Sequence, residues 1–128
     1  MAAPALDNQV ALVTGGSGDI GGAIARRLAD AGAEVIITYV GAQDSAEAIV
    51  SDIQQAGGQA PCRQLDQRDP AAIEALMTEI GEHWQRLDIL VNNAAWNIGI
   101  PFPNLDELTA DIWDRVLETN LRGPFLLA

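Results

Sequence analysis

The sequence predicts an α/β domain, a doubly wound parallel sheet of about four strands in the order 3-2-1-4 with helices on both faces. Two observations carry that expectation. Short apolar runs alternate with segments of helical periodicity from end to end, without repeats, low-complexity tracts or a linker. The first run, VALVT at Val10–Thr14, is too uniformly apolar for a strand with one wet face and suits a central strand covered on both sides.

The elements follow in order. After the first strand comes a helix over about Ile20–Ala31, with Ile24 and Leu28 on one face and Gly32 as its stop. EVIITYV, Glu34–Val40, is the second strand. Ser45–Ala56 reads as a helix with Ala48, Ile49 and Ile53 inward, ended by Gly57 and Gly58. QAPCRQLD is a short third strand. Asp69 then offers an N-cap with Pro70 at the first helical position, and Ile73, Leu76, Met77, Ile80 and Trp84 form an apolar stripe behind it. Trp84 is read as core. LDILVNN is the fourth strand, followed by a loop punctuated by Gly99, Pro101 and Pro103. A last helix begins near Thr109 and carries Ile112, Trp113, Val116 and Leu117.

Composition narrows the function classes. A formal charge of −11 over 128 residues argues against nucleic acid or an anionic membrane as partner, since binding phosphates needs clustered cations. All seven cations are arginines, and lysine is absent. The single Cys62 excludes an internal disulfide and reads as a small hydrophobe in a reducing compartment. The opening MAAPALDNQ has neither the basic region nor the apolar core of a signal peptide, and no run approaches membrane-spanning length, so a cytoplasmic location is expected. One Cys and one His cannot supply a metal-ligand cluster, and His83, on a solvated helix end beside Glu82, receives no role.

Chemistry concentrates in four stretches. Gly16, Gly18 and Gly21 fit the dinucleotide fingerprint GxGxxG between an apolar strand and a helix start, where unpaired backbone N–H groups and the positive dipole end favour a phosphate. A merely compact turn is the plainer alternative. Thr14, Gly15 and Gly21 equally fit a longer pattern, TGxxxGxG, whose middle glycine falls on Asp19. Downstream stand LDILVNNAA, Leu87–Ala95, and WDRVLETNLRGPFLL, Trp113–Leu127, with Asp66 after the third strand.

Together, in this order, these stretches resemble the short-chain dehydrogenase/reductase family, with TGGSGDIG as its glycine loop, NNAA for its NNAG signature and Asn120 as its active-site asparagine. The resemblance implies a Rossmann-like fold and a reaction that moves hydride between a nicotinamide cofactor and a carbonyl or secondary alcohol, as in 3-oxoacyl reductases or sugar dehydrogenases. It gives the pyrophosphate loop to Gly15, Ser17, Ile20 and Gly21, with Asp19 facing the phosphates. Asp66 and Gln67 then lie by adenine, and Asn92 and Ala94 border its ribose. Asn92 and Asn93 also suit the satisfaction of backbone groups at a strand end. Asn120 has a physical signature of its own: Pro124, four residues on, has no N–H to bond its carbonyl, so the helix should break there and leave that carbonyl for water or another polar group. A kink without consequence is the alternative.

Cofactor choice falls to the end of the second strand, where an acid holds the 2′-hydroxyl of NAD and a base pairs with the 2′-phosphate of NADP. Tyr39, Val40 and Gly41 are neither. The missing acid leans toward NADP; Gly18, where many NADP-using members carry a cation, leans back. The family's catalytic serine, tyrosine and lysine cannot be assigned, because the only tyrosine is Tyr39, the serines are Ser17, Ser45 and Ser51, and there is no lysine. The 128 residues are therefore expected to form one cofactor-binding half domain, inactive alone, with a noncatalytic dinucleotide-binding or dimerising module as the alternative. The expected partners are a dinucleotide and either a second copy, docked through the fourth-strand edge or the last helix, or a complementary C-terminal half. Trp96 faces the nicotinamide side or packs against the last helix, and the second is preferred.

Overall fold

A computed structural model describes residues 4–128. Its centre is a parallel sheet of four strands, β1 (Val10–Val13), β2 (Glu34–Tyr39), β3 (Cys62–Gln64) and β4 (Ile89–Val91), in the order β3-β2-β1-β4. Register is set by pairs such as Leu12 with Ile36, Leu12 with Leu90 and Thr38 with Arg63. Successive side chains of a strand point to opposite faces, and β1 and β2 use that alternation to feed two cores. Ala11, Val13, Val35 and Ile37 face Ala25 of α1 (Asp19–Asp30) and Ala46, Ile49 and Ile53 of α2 (Gln43–Gln55). Val10, Leu12 and Ile36 face Ile73, Leu76 and Ile80 of α3 (Pro70–His83), joined by Leu127.

Local chemistry explains the ends of these elements. The Asp69 carboxylate accepts from the N–H groups of Ala71 at 3.0 Å and Ala72 at 3.3 Å, and Pro70 occupies the first helical turn, as its missing donor permits. At the opposite end of the sheet, Asp88 accepts the Val10 N–H at 2.8 Å and two bonds from Arg86, which ties the start of β1 to the start of β4.

Several boundaries differ from the sequence expectation. Strands three and four shrink to three residues each, because the flanking residues leave the ladder for loops at the strand ends. Ala48 is exposed and Ala46 fills the inward position, since α2 begins at Gln43 and its buried face runs Ala46, Ile49, Ile53. Trp84 is half-buried at the end of α3, against the second core, with its indole N–H lacking a hydrogen-bond partner among the described residues. Cys62 is a free thiol, half-buried against the first core.

The chain beyond β4 passes a 3-10 turn at Phe102–Glu107 and enters α4 (Ala110–Leu117), capped by Thr109, whose hydroxyl accepts the Ile112 N–H at 3.3 Å. The break expected before Pro124 takes the form of a π-helical turn, Glu118–Arg122, followed by α5 (Gly123–Leu127). Widening the turn lets the helix pass a residue that cannot donate without a sharp kink. No helix of the described residues is long and apolar enough to cross a membrane.

Candidate functional site

A cleft of about 650 Å³ opens over the C-terminal ends of the strands, between the loop entering α1, the ends of β2 and β3, and the β4–α4 connection. Open parallel sheets place their ligand crevices at this end. Two buried threonines hold the floor. Thr14 Oγ1 accepts the N–H groups of Asn93 at 3.1 Å and Ala94 at 3.0 Å, and Thr38 Oγ1 accepts the Gly15 N–H at 3.2 Å. Asn93 Nδ2 donates back to the carbonyls of Thr14 at 3.0 Å and Gly15 at 3.3 Å. The glycine loop is thus sewn to β2 on one side and to β4 on the other.

That stitching decides which glycines the loop needs. Gly15 has φ +65°, the left-handed region, and a Cβ there would lie 3.0 Å from the Ala94 Cα. A Cβ on Gly21 would overlap the Gly15 carbonyl oxygen and come within 2.7 Å of Asn93 Nδ2. Gly18 is different: its nearest neighbour would stand at an ordinary 3.5 Å. Gly16 is tight as well, since a Cβ there would lie 2.5 Å from the Ile37 Cβ, so steric need falls on Gly15, Gly16 and Gly21 and only the middle glycine of GxGxxG has room to spare.

Asp19 does not cap α1, nor does it use a left-handed conformation. Gly18 is the N-cap, in extended geometry, and Asp19 is the first helical residue, with its carboxylate in the first turn where the helix dipole favours a negative charge. It lines the cleft with Ser17, Ile20 and Gly21, so its charge occupies ground that an anionic ligand would also seek.

The opposite wall comes from the ends of β2 and β3. Tyr39 lines it, half-buried, followed by Val40 and Gly41. Asp66 is locked to Arg68, which donates through Nη2 at 2.6 Å, through Nε at 3.0 and 3.1 Å, and through its backbone N–H at 3.0 Å. These bonds, the guanidinium's first among them, hold the Asp66 carboxyl below the ordinary carboxylate range. Gln67 is buried and spent on the backbone, donating to the carbonyls of Ala94 at 3.1 Å and Thr119 at 2.5 Å. Thr119 itself lines the cleft, and its hydroxyl is buried without a partner among the described residues.

Two predicted residues lie elsewhere. Asn92 is exposed and outside the cleft lining; its neighbour Asn93 makes the strand-end contacts. Asn120 is also outside the lining, and its amide clamps the backbone of Trp96, accepting from the N–H at 2.8 Å and donating to the carbonyl at 2.7 Å. Trp96 lines the cleft and meets α4, with the Arg115 Cζ 3.9 Å from the centre of its ring. Sequence reasoning missed Arg68, Arg115 and Thr119 as cleft residues. Only Thr38 left a usable trace, a hydroxyl inside an otherwise apolar strand.

Comparison with known proteins decides the family. The model of the short chain dehydrogenase family matches residues 9–128. The chain belongs to the short-chain dehydrogenase family. Versicolorin reductase stcU of Emericella nidulans is 40% identical over 123 residues, which are 96% of this chain and 46% of that protein. A dehydrogenase/reductase from Sinorhizobium meliloti superposes with a TM-score of 0.89 at 45% identity, over 98% of this chain and 48% of that one. A short chain dehydrogenase from Burkholderia cenocepacia, crystallised with NADP, superposes with a TM-score of 0.88 at 41% identity, over 96% of this chain and 49% of that one. The short-chain dehydrogenase chain described here spans about half the length of the relatives it matches.

Proposed function

We propose that the cleft binds a nicotinamide dinucleotide and that the chain is the cofactor-binding half of a short-chain dehydrogenase moving hydride between that cofactor and a carbonyl or secondary alcohol. The carrying observation is the junction of β1 with α1. There Gly15 and Gly21 are packed so closely that side chains are excluded, leaving backbone and the first N–H groups of a 12-residue helix as the wall of the cleft. The buried Thr119 hydroxyl, lacking a partner, fits a cleft that expects a polar ligand.

In this reading Gly15, Ser17, Ile20 and Gly21 hold the pyrophosphate, Asp66, Gln67 and Ala94 frame the adenosine, and Tyr39 stands at the ribose 2′ position. NADP is favoured over NAD because no carboxylate follows β2 to claim a 2′-hydroxyl, and because a relative at 41% identity was crystallised with NADP. The cofactor supplies the hydride. The substrate's proton must come from elsewhere, because these 128 residues hold one tyrosine, Tyr39 on β2, and no lysine. Asn120 acts here through position: its side chain pins Trp96 while Pro124 withholds an N–H from its carbonyl.

A second copy is proposed to cover the helical face of Trp113, Leu117, Leu121 and Phe125, spaced four apart and all exposed, with Phe125 at 76%. Light scattering that finds only monodisperse monomer overturns this part.

Titration of the 128-residue chain with NADPH, free of host reductases, tests the main reading. Saturable binding without ketone-dependent oxidation is the expected result. Absence of binding overturns the cofactor site, and turnover at an enzymatic rate overturns the half-domain assignment.

A further inference from the structure

Two arginines line the cleft, and they are differently employed. Arg68 is consumed by Asp66. Arg115 has no carboxylate within ion-pair distance among the described residues, and lies with its Cζ 3.9 Å from the centre of the Trp96 ring. At that distance the cation sits over the electron-rich face of the ring, and its planar head offers a surface suited to another flat group.

We infer that Arg115, laid on Trp96, is a base-stacking platform for the adenine end of the cleft, an assignment that rests on the dinucleotide reading above. The support for the platform is unusually stiff. The Trp96 backbone is anchored, because its N–H and carbonyl are both bonded to the Asn120 amide, and Asn120 belongs to the same helical run as Arg115. Arg115, Trp96, Asp66 and Thr119 line one cleft, and the positive charge of Arg115 is felt at Asp66, which locates it on the β3 side. The guanidinium carbon stands over the indole and lines the cleft, and the side of the cation turned away from the ring is the natural seat of a second π-system.

Charge selects which ring that is. A cation attracts the electron-rich face of a neutral purine and repels an oxidised nicotinamide, which is itself positively charged. The platform therefore orients the dinucleotide as well as holding it. It reads a purine base, not a phosphate, so its contribution is the same for any ligand with an adenine.

The test titrates the chain and its Arg115→Met and Arg115→Lys variants with NADPH, ADP and nicotinamide mononucleotide. Arg115 is exposed on α4, so both variants should match the parent in far-ultraviolet circular dichroism and melting. Arg115→Met should weaken NADPH and ADP alike by about tenfold and leave nicotinamide mononucleotide unchanged. Arg115→Lys should do no better than Met, because an ammonium is a point charge without a face. Trp96→Phe, which keeps a ring beneath the guanidinium, should retain ADP affinity within about twofold, whereas Trp96→Ala should lose it. Restoration by Arg115→Lys, or a loss that grows with the number of phosphate charges, overturns the platform in favour of a counter-charge. Unaltered ADP and NADPH binding in Arg115→Met overturns it outright. If the parent chain binds neither NADPH nor ADP, the dinucleotide reading fails and the platform falls with it.

Discussion

On one face of the sheet, Ala25, Ala46, Ile49 and Ile53 of α1 and α2 close over Ala11, Val13, Val35 and Ile37, and nothing large and apolar of β1 or β2 is left in water. On the other face, α3 and Leu127 cover Val10, Leu12 and Ile36, yet the helical run that delivers Leu127 keeps Trp113 and Phe125 outside, at 57% and 76% exposure. Both faces are apolar helices on an apolar sheet. The difference lies in the outer stripe of α4, the π turn and α5, which carries a second apolar surface that nothing among the described residues covers. Apolar periodicity states that a surface is to be buried, but not by what.

Substitutions can break that comparison, beginning with the largest expected effect. Leu12→Ala and Ile37→Ala, one on each face and both fully buried, should each cost about 3 kcal/mol in urea unfolding. A loss on either side below about 1 kcal/mol would show that face to be loosely packed. In the glycine loop, Gly21→Ala should cost about 2 kcal/mol by forcing the Gly15 carbonyl aside. Gly18→Ala, with ordinary space around it, should stay within about 0.5 kcal/mol, and equal effects at the two positions would sink the assignment of the longer loop pattern.

Acid should act on Asp66 and Asp88, two of the carboxylates paired with arginines. Asp66 and Asp88 are both lowered from their ordinary value, chiefly by side-chain hydrogen bonds from Arg68 and Arg86. A carboxyl whose folded value lies below its unfolded one contributes stability above the unfolded value, near pH 4, and loses it as pH falls toward the lower folded value. The melting temperature of the parent should therefore fall through that window, and Asp88→Asn should flatten the fall. Smallest in stability is the outer stripe: Leu121→Ser with Phe125→Ser should shift unfolding of the dilute chain by no more than about 0.5 kcal/mol. The same pair should abolish any concentration-dependent rise in scattering mass.

Much of the fold was legible because its signals are local. Asp69 followed by Pro70 announces a helix start through the bonds a carboxylate makes within three residues, and VALV announces a central strand through hydrophobicity alone. Boundaries were less so. Ala46 replaced Ala48 on the buried face of α2 because the phase of a helix follows from where it begins, and no strong cap marks Gln43. In the site, the glycine loop, Asp66 and Gln67 were read from order and spacing. The task of each was not. Gln67 lines the cleft and at the same time braces the Ala94 and Thr119 carbonyls, and Asn120 holds the backbone of Trp96.

The sequence by itself determined the α/β class, the strand order, the family and the stretches that meet at the strand ends, because alternating apolar runs, caps and motifs are encoded within a few residues of one another. Only the tertiary structure decided that Gly15, Gly16 and Gly21, not Gly18, carry the loop's steric need. It also placed Asp19 in the first turn of α1, paired Arg68 with Asp66 and set Arg115 over Trp96. The glycine packing and the Arg115–Trp96 contact depend on approach between separate segments of the chain, such as the 78 residues that separate the Asn93 amide from the Gly15 carbonyl. Such approach is settled by how the layers pack, which no short stretch records.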